Sequence, residues 1–185
     1  LYRNQISKFF QREKPEIVIN AAGKVGGIAA NINNPLDFIQ DNITIQDNIF
    51  RASYDEKVKK LIFLGSSCIY PYDSKQPIKE EYLMKGDLER SNEYYALAKI
   101  VGIKTCEAYN KQLNCDFITV MPTNLYGAND NFNPETSHVP AALVDKFHYA
   151  KAHNLKNVVI WGDGIPFREF MHADDFADAC IFILK

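Results

Sequence analysis

The stretch Lys60-Leu-Ile-Phe-Leu-Gly-Ser-Ser-Cys-Ile-Tyr-Pro71 decides the fold. Its first half is an unbroken apolar run closed by a glycine, the pattern of a strand covered on both faces, which is how parallel sheets are built. Upstream, Glu16–Asn20 (EIVIN) reads as another buried strand. It follows a helix in which Leu1, Tyr2, Ile6, Phe9 and Phe10 share a face and which Pro15 ends. Between the two strands lie a glycine-rich loop, Gly23–Gly27, and a long helix. Pro35 fits the first turn of that helix, and Leu36, Ile39, Ile43, Ile49 and Ala52 mark its apolar side.

Downstream of Pro71 the same alternation continues. A helix is expected from about Asn92 to Gln112 and a strand over Asp116–Met121. A second helix follows over His138–His153, then a strand over Asn157–Gly162 and a last helix over Asp174–Lys185. Strands alternating with helices imply an α/β architecture around a mainly parallel sheet. Two long polar segments, Ser66–Ser91 and Pro122–Ser137, each follow a strand and so lie at the carboxyl edge of the sheet. Long loops in a compact domain are usually functional, and that edge is where doubly wound folds take their ligands.

Composition narrows the classes. With 185 residues, 46% apolar and 24% charged, the chain suits one ordinary globular domain. A net charge of -2 gives no reason to expect a nucleic acid or an anionic membrane as partner. No apolar run is long enough to span a bilayer. The four cysteines, Cys68, Cys106, Cys115 and Cys180, are scattered without zinc-site spacing, so no metal is expected. Without a secretory signal, reduced thiols in a cytoplasmic protein are the expectation.

The chemistry gathers around Tyr95-Ala-Leu-Ala-Lys99. On a helix these two side chains share a face. A phenol titrates near ~10 and needs a neighbouring cation to exchange protons near neutral pH, which Lys99 is placed to supply. Ser66, at the tip of the Lys60–Gly65 strand, is placed to bond the same substrate oxygen. Cys68 follows two residues on, and a neighbouring lysine or imidazolium would lower its thiol from ~8.5 towards working pH. Taken singly, each has a plain alternative: a solvated helix face, a strand-end turn, an inert buried thiol.

Together, GSSCIYP, NEYYALAKI, MPTNLYG, DNFNPETSHV and the WG…REF pair, in that order, resemble the GDP-L-fucose synthases, a family of extended short-chain dehydrogenase/reductases. The resemblance implies a Rossmann-type doubly wound sheet and NADPH as cofactor. Residues 1–123 and 172–185 would belong to the dinucleotide-binding domain, and 124–171 to the nucleotide-sugar-binding domain. It implies epimerisation of GDP-4-keto-6-deoxymannose at C3 and C5 and reduction of its C4 ketone. Cys68 would act as base and His138 as the acid on the opposite face, with Ser66, Tyr95 and Lys99 serving the C4 oxygen. Cofactor contacts would come from Ala21, Ala22, Tyr95, Lys99, Pro122, Asn124, Leu125 and His138. The GDP-sugar would meet Val139, Leu143, Lys146, Trp161 and Arg168. Trp161 equally suits core packing, and Lys146 a solvated helix face.

A homodimer through the helices near Pro35–Tyr54 and Asn92–Gln112 is also implied. The family's dinucleotide fingerprint lies N-terminal to Leu1, so the chain is expected to be a central piece with the first strands missing. GKVGG does not replace that fingerprint, because its glycine spacing is wrong for cradling a pyrophosphate. Two alternatives stay open: another nucleotide-sugar epimerase, dehydratase or reductase of the superfamily, and a non-catalytic dimerisation remnant. The Cys68/His138 pair speaks against the first. The presence of all five reactive residues speaks against the second.

Overall fold

Helix α1 (Arg3–Glu13) ends where Lys14 turns into the left-handed region at φ 44° and Pro15 forbids another turn. Strand β1 (Ile17–Asn20) follows, then α2 (Ile28–Asn33), α3 (Pro35–Asp55) and β2 (Lys60–Leu64). Single 3₁₀ turns at Ser67–Ile69 and Glu80–Tyr82 precede α4 (Glu93–Leu113) and β3 (Phe117–Val120). The chain closes with β4 (Asn124–Tyr126), α5 (Val139–Ala152), β5 (Phe170–His172) and α6 (Ala173–Leu184). This computed structural model describes residues 2–133, 136–160, 162–165 and 167–185.

The main sheet is parallel with strand order β1-β2-β3, and Ile62 pairs with Ile19 on one side and Ile118 on the other. As its apolar run requires, β2 is the central strand, and Leu61, Ile62 and Phe63 are buried. Helices α3 and α4 cover one face. Their core holds Phe50, Phe63, Ile100, Ile103, Cys106 and Phe117, with the Phe50 and Phe63 rings edge to face at 5.3 Å. Helix α4 lies so close to β2 that a Cβ on Gly102 would stand 2.4 Å from Phe63 Cζ, so only glycine fits there. The Asn110 side chain fastens the end of α4 to β3, accepting from Phe117 N at 2.9 Å and donating to Phe117 O at 2.8 Å.

Four expectations need correction. In α1, Phe10 is buried but Phe9 is half exposed and Tyr2 lies at the exposed N-cap, because one side of the helix packs on α3 while the other faces outward; Leu1 lies outside the described residues. In α3, Leu36 is exposed, and the buried stripe runs through Phe38, Asn42, Ile45, Gln46 and Phe50. This helix packs on α4 and the glycine-rich loop as well as the sheet, so its covered side includes polar residues. No strand forms over 157–160: Val159 and Ile160 are exposed and no ladder partner lies alongside among the described residues. Conversely, the Pro122–Ser137 segment contains β4, which pairs in parallel with β5 to form a separate two-stranded sheet.

Candidate active site

The carboxyl end of β2 delivers Ser66 and Cys68, and the first turns of α4 deliver Tyr95 and Lys99. The Cys68 thiol donates to Ser66 Oγ at 3.2 Å. The same hydroxyl neighbours the Tyr95 phenol and favours its ionised form. Lys99 is 5% exposed; its Nζ donates to the Leu64 carbonyl at 2.8 Å and stands 4.9 Å from the Phe63 ring centre and 5.7 Å from that of Tyr95. Four reactive groups thus converge on one point at the sheet edge, as the spacing predicts.

Burial dominates their proton chemistry. It holds the Lys99 ammonium down to about 8 and pushes the Tyr95 phenol well above its ordinary value. The Cys68 thiol is also raised by desolvation, with the Ser66 hydroxyl and then the Lys99 charge pulling it partly back. At Cys68 the Lys99 charge acts in the expected direction but burial outweighs it, and both Ser66 and Lys99 ease ionisation of the thiol.

The glycine-rich loop forms a strap over this cluster, and its anchors are not legible in local sequence. Asn42, 2% exposed, accepts from Lys24 N at 3.0 Å and donates to Lys24 O at 3.0 Å and Phe38 O at 2.7 Å. Lys24 Nζ reaches Asp37 at 2.8 Å and Asp41 at 3.0 Å. A Cβ on Gly23 would stand 3.7 Å from Lys99 Nζ. Gly27 N donates to Thr136 O at 3.2 Å, and Asn31 Nδ2 donates to Gly26 O at 2.9 Å.

His138 occupies the N-cap of α5, exposed, and its side chain is not part of the cluster's hydrogen bonds among the described residues. The strap meets the segment that leads into His138 at Thr136. Ala21 and Ala22 are exposed at the carboxyl end of β1. Of the other predicted cofactor contacts, Pro122 and Leu125 are half-buried. Asn124 belongs to β4 and donates to Glu169 O at 2.9 Å, alongside Thr123 Oγ1 at 2.8 Å. Val139 and Leu143 lie on α5, exposed and half-buried respectively. Lys146 Nζ donates to Val159 O at 3.4 Å, and Arg168 to the neighbouring Phe167 carbonyl at 2.7 Å. Trp161 lies outside the described residues.

Buried polar residues absent from the sequence reading include Asn20, Asn31, Asn42, Gln46, Asn48 and Ser53. Asn20, 2% exposed at the end of β1, leaves both its amide nitrogen and oxygen without partners among the described residues. With exposed Ala21 and Ala22 beyond it and the Lys99 ammonium nearby, this edge suits the nicotinamide-ribose half of a dinucleotide. The strap does not suit the pyrophosphate, because the N–H groups of Lys24 and Gly27 are already committed to Asn42 and Thr136.

A parallel α/β sheet with a Ser/Tyr/Lys set at its carboxyl edge defines a nucleotide-dependent short-chain dehydrogenase type of site, and the NAD dependent epimerase/dehydratase family model matches residues 1–185. The chain belongs to that family. It is 57% identical over 182 residues to a putative GDP-L-fucose synthase 2 of Arabidopsis thaliana, covering 98% of this chain and 56% of that protein. It is 53% identical over 180 residues to the GDP-L-fucose synthase of Escherichia coli (strain K12), covering 97% and 56%. A crystal structure of a GDP-L-fucose synthetase from Naegleria fowleri bound to NADP superimposes with a TM-score of 0.89 at 35% identity, covering 99% of this chain and 60% of that one. The chain spans a little over half the length of these curated relatives. The fold is accordingly the Rossmann type.

Proposed function

We propose that this chain carries the reactive centre of a GDP-L-fucose synthase, converting GDP-4-keto-6-deoxymannose to GDP-L-fucose with NADPH. The observation that carries the proposal is the convergence of Ser66, Cys68, Tyr95 and Lys99, with the Cys68 thiol hydrogen-bonded to Ser66 at 3.2 Å. A hydride-transfer site needs the serine, tyrosine and lysine. A thiol beside them adds a base, which ketone reduction alone does not need.

In this assignment the Cys68 thiolate removes the proton next to the C4 ketone, and the electron pair moves onto the C4 oxygen. Ser66 and Tyr95 hold that oxygen as it becomes negative. His138 returns a proton to carbon from the opposite face, so the centre inverts. NADPH, when bound, supplies the hydride for C4, and Tyr95 gives its proton to the C4 oxygen. Ala21, Ala22, Pro122, Asn124, Leu125 and His138 would flank the nicotinamide; Val139, Leu143, Lys146, Trp161 and Arg168 would serve the GDP-sugar.

The domain division follows: residues 1–123 and 172–185 on the dinucleotide side, 124–171 on the sugar side. Its support is that β4, α5 and β5 stand apart from the three-stranded sheet, while Lys60 Nζ ties α6 back to β2 through Leu184 O at 3.1 Å. Homodimerisation through α3 and α4 is supported by a shallow groove of about 770 Å³ lined by exposed Tyr54, Leu97, Val101 and Leu113. No helix among the described residues is long and apolar enough to cross a membrane, and we place the whole enzyme in the cytoplasm. The direct test is to mix the full-length protein with GDP-4-keto-6-deoxymannose and NADPH and follow nicotinamide absorbance. Substrate-dependent oxidation lost in Tyr95→Phe supports the assignment; oxidation unchanged in that variant would refute the role given to Tyr95.

A further inference from the structure

The strap Gly23–Gly27 runs from Lys99 to the segment that leads into His138. Its Gly23 end faces the Lys99 ammonium. In its middle, a Cβ on Gly26 would stand 3.2 Å from Phe38 Cζ, and the Phe38 ring packs edge-on against Tyr95 at 6.3 Å. Its Gly27 end meets the segment that leads into His138. There Gly27 N donates to Thr136 O at 3.2 Å, and an added Cβ would lie 3.0 Å from the Ser137 carbonyl oxygen. That neighbour is backbone, so it cannot swing aside as a side chain would.

On the other side the same segment is held by hydrogen bonds from Thr136 N and Ser137 N to Asn133 O, at 3.2 and 2.9 Å, and from Asn131 Nδ2 to Thr136 Oγ1 at 2.9 Å. Side-chain hydrogen bonds do not hold His138 itself, among the described residues. Its position is therefore set through the backbone, by Thr136 and Ser137 on one side and by α5 on the other, where Ala142 N donates to His138 O at 2.9 Å. The strap in turn cannot drift, because Asn42 grips both backbone groups of Lys24 and Asp37 and Asp41 hold its ammonium.

We propose that Gly27 is a positioning residue that sets the place of His138 relative to the Ser66/Cys68/Tyr95 cluster, and so governs epimerisation more strongly than hydride transfer. The proposal rests on the epimerase/reductase assignment above. Proton return to carbon needs His138 on the far face of the sugar. Hydride transfer at C4 takes its proton and its hold on the oxygen from groups on β2 and α4, and His138 enters it only as one of several nicotinamide contacts, so it should suffer less than proton return. Misplacement of a reacting group by a fraction of an ångström costs rate steeply, so a methyl group at Gly27 should slow the His138 step by about tenfold.

Two reactions of the full-length protein separate the steps. Without NADPH, wash-in of solvent deuterium at C3 and C5 of GDP-4-keto-6-deoxymannose reports proton removal and return. With GDP-L-fucose and NADP, the C4 alcohol is oxidised: its hydride reduces NADP and its hydroxyl proton passes to Tyr95, with no epimerisation required. Gly27→Ala is expected to slow wash-in about tenfold while leaving NADP reduction within about twofold. Asn131→Ala, at an exposed position that cannot disturb the core, loosens the same segment from its other side and should slow wash-in by about threefold with NADP reduction intact. Equal losses in both reactions, or none in either, with the wild-type protein active would overturn the positioning role alone. A wild-type protein lacking both reactions would overturn the assignment beneath it as well.

Discussion

The Cys68 thiol donates to the Ser66 hydroxyl oxygen across 3.2 Å, so the proposed base and the group that holds the C4 oxygen share one hydrogen bond. Turning the Ser66 hydroxyl round to donate stabilises the thiolate. Ser66→Ala should therefore lower wash-in of solvent deuterium by more than it lowers C4 hydride transfer. Loss of one oxyanion donor costs about 10²-fold, and weaker ionisation of Cys68 adds to the first step only. Parallel assays of the two half-reactions check this; equal losses would detach Ser66 from the base.

The working state for epimerisation carries a Cys68 thiolate and a Lys99 ammonium. The ammonium is lost above about 8, and the thiolate forms only above its already raised value. The required state is thus a minority form whose population peaks between those two values, on the alkaline side of 8. Wash-in rates measured against pH should trace a bell with its maximum there, and Lys99→Met should remove the alkaline limb. Because burial lowers Lys99 relative to the unfolded chain, the folded state binds fewer protons between about 8 and the ordinary lysine value of 10.5. The Lys99 contribution to stability accordingly rises with pH across that window, while the raised Cys68 and Cys106 thiols contribute in the opposite sense; urea titration at several pH values should therefore show the stability of the wild type rising relative to Lys99→Met.

Gly102→Ala places a methyl group 2.4 Å from Phe63 Cζ and 2.7 Å from Gln46 Oε1. Phe63 is fully enclosed, so α4 must move off β2. The expected cost is about 2–3 kcal/mol of stability, read from denaturant unfolding. Because α4 carries Tyr95 and Lys99, activity should fall along with stability.

Asn20 buries an amide with no partner among the described residues, which ordinarily costs about 1–3 kcal/mol. Asn20→Leu should raise the melting temperature of the cofactor-free protein. If the amide serves the dinucleotide, the same change weakens NADPH binding, measurable by fluorescence titration. A more stable variant with unchanged cofactor affinity would leave Asn20 without that role.

Much of this was legible where the determining interactions are local. The uniform apolar run of Lys60–Gly65 needs covering on both faces, and the four-residue spacing of Tyr95 and Lys99 needs only a helix to align them. Pairing at long range was not legible. Asn124 lies beside Phe170 in the β4–β5 ladder, yet neither segment has the length or alternation that marks a strand by itself. Asn157–Gly162 has the composition of a strand, but a strand exists only beside a partner. The direction of the proton affinities was hidden for a similar reason: sequence shows that Lys99 is near Tyr95, while the desolvation that dominates both depends on how completely the packed elements enclose them. Nothing in the sequence around Gly27 indicates its contact with Thr136, which is distant in the chain.

The most direct test of the central assignment is to identify the product formed by the full-length protein from GDP-4-keto-6-deoxymannose and NADPH, wild type beside Cys68→Ser. The account predicts GDP-L-fucose from the wild type. From Cys68→Ser it predicts a large loss of solvent deuterium at C3 and C5, with residual NADPH oxidation giving the unepimerised C4 alcohol. GDP-L-fucose formed at an undiminished rate by Cys68→Ser would contradict the assignment of the base, and a wild-type product lacking inversion at C3 and C5 would contradict the epimerase itself.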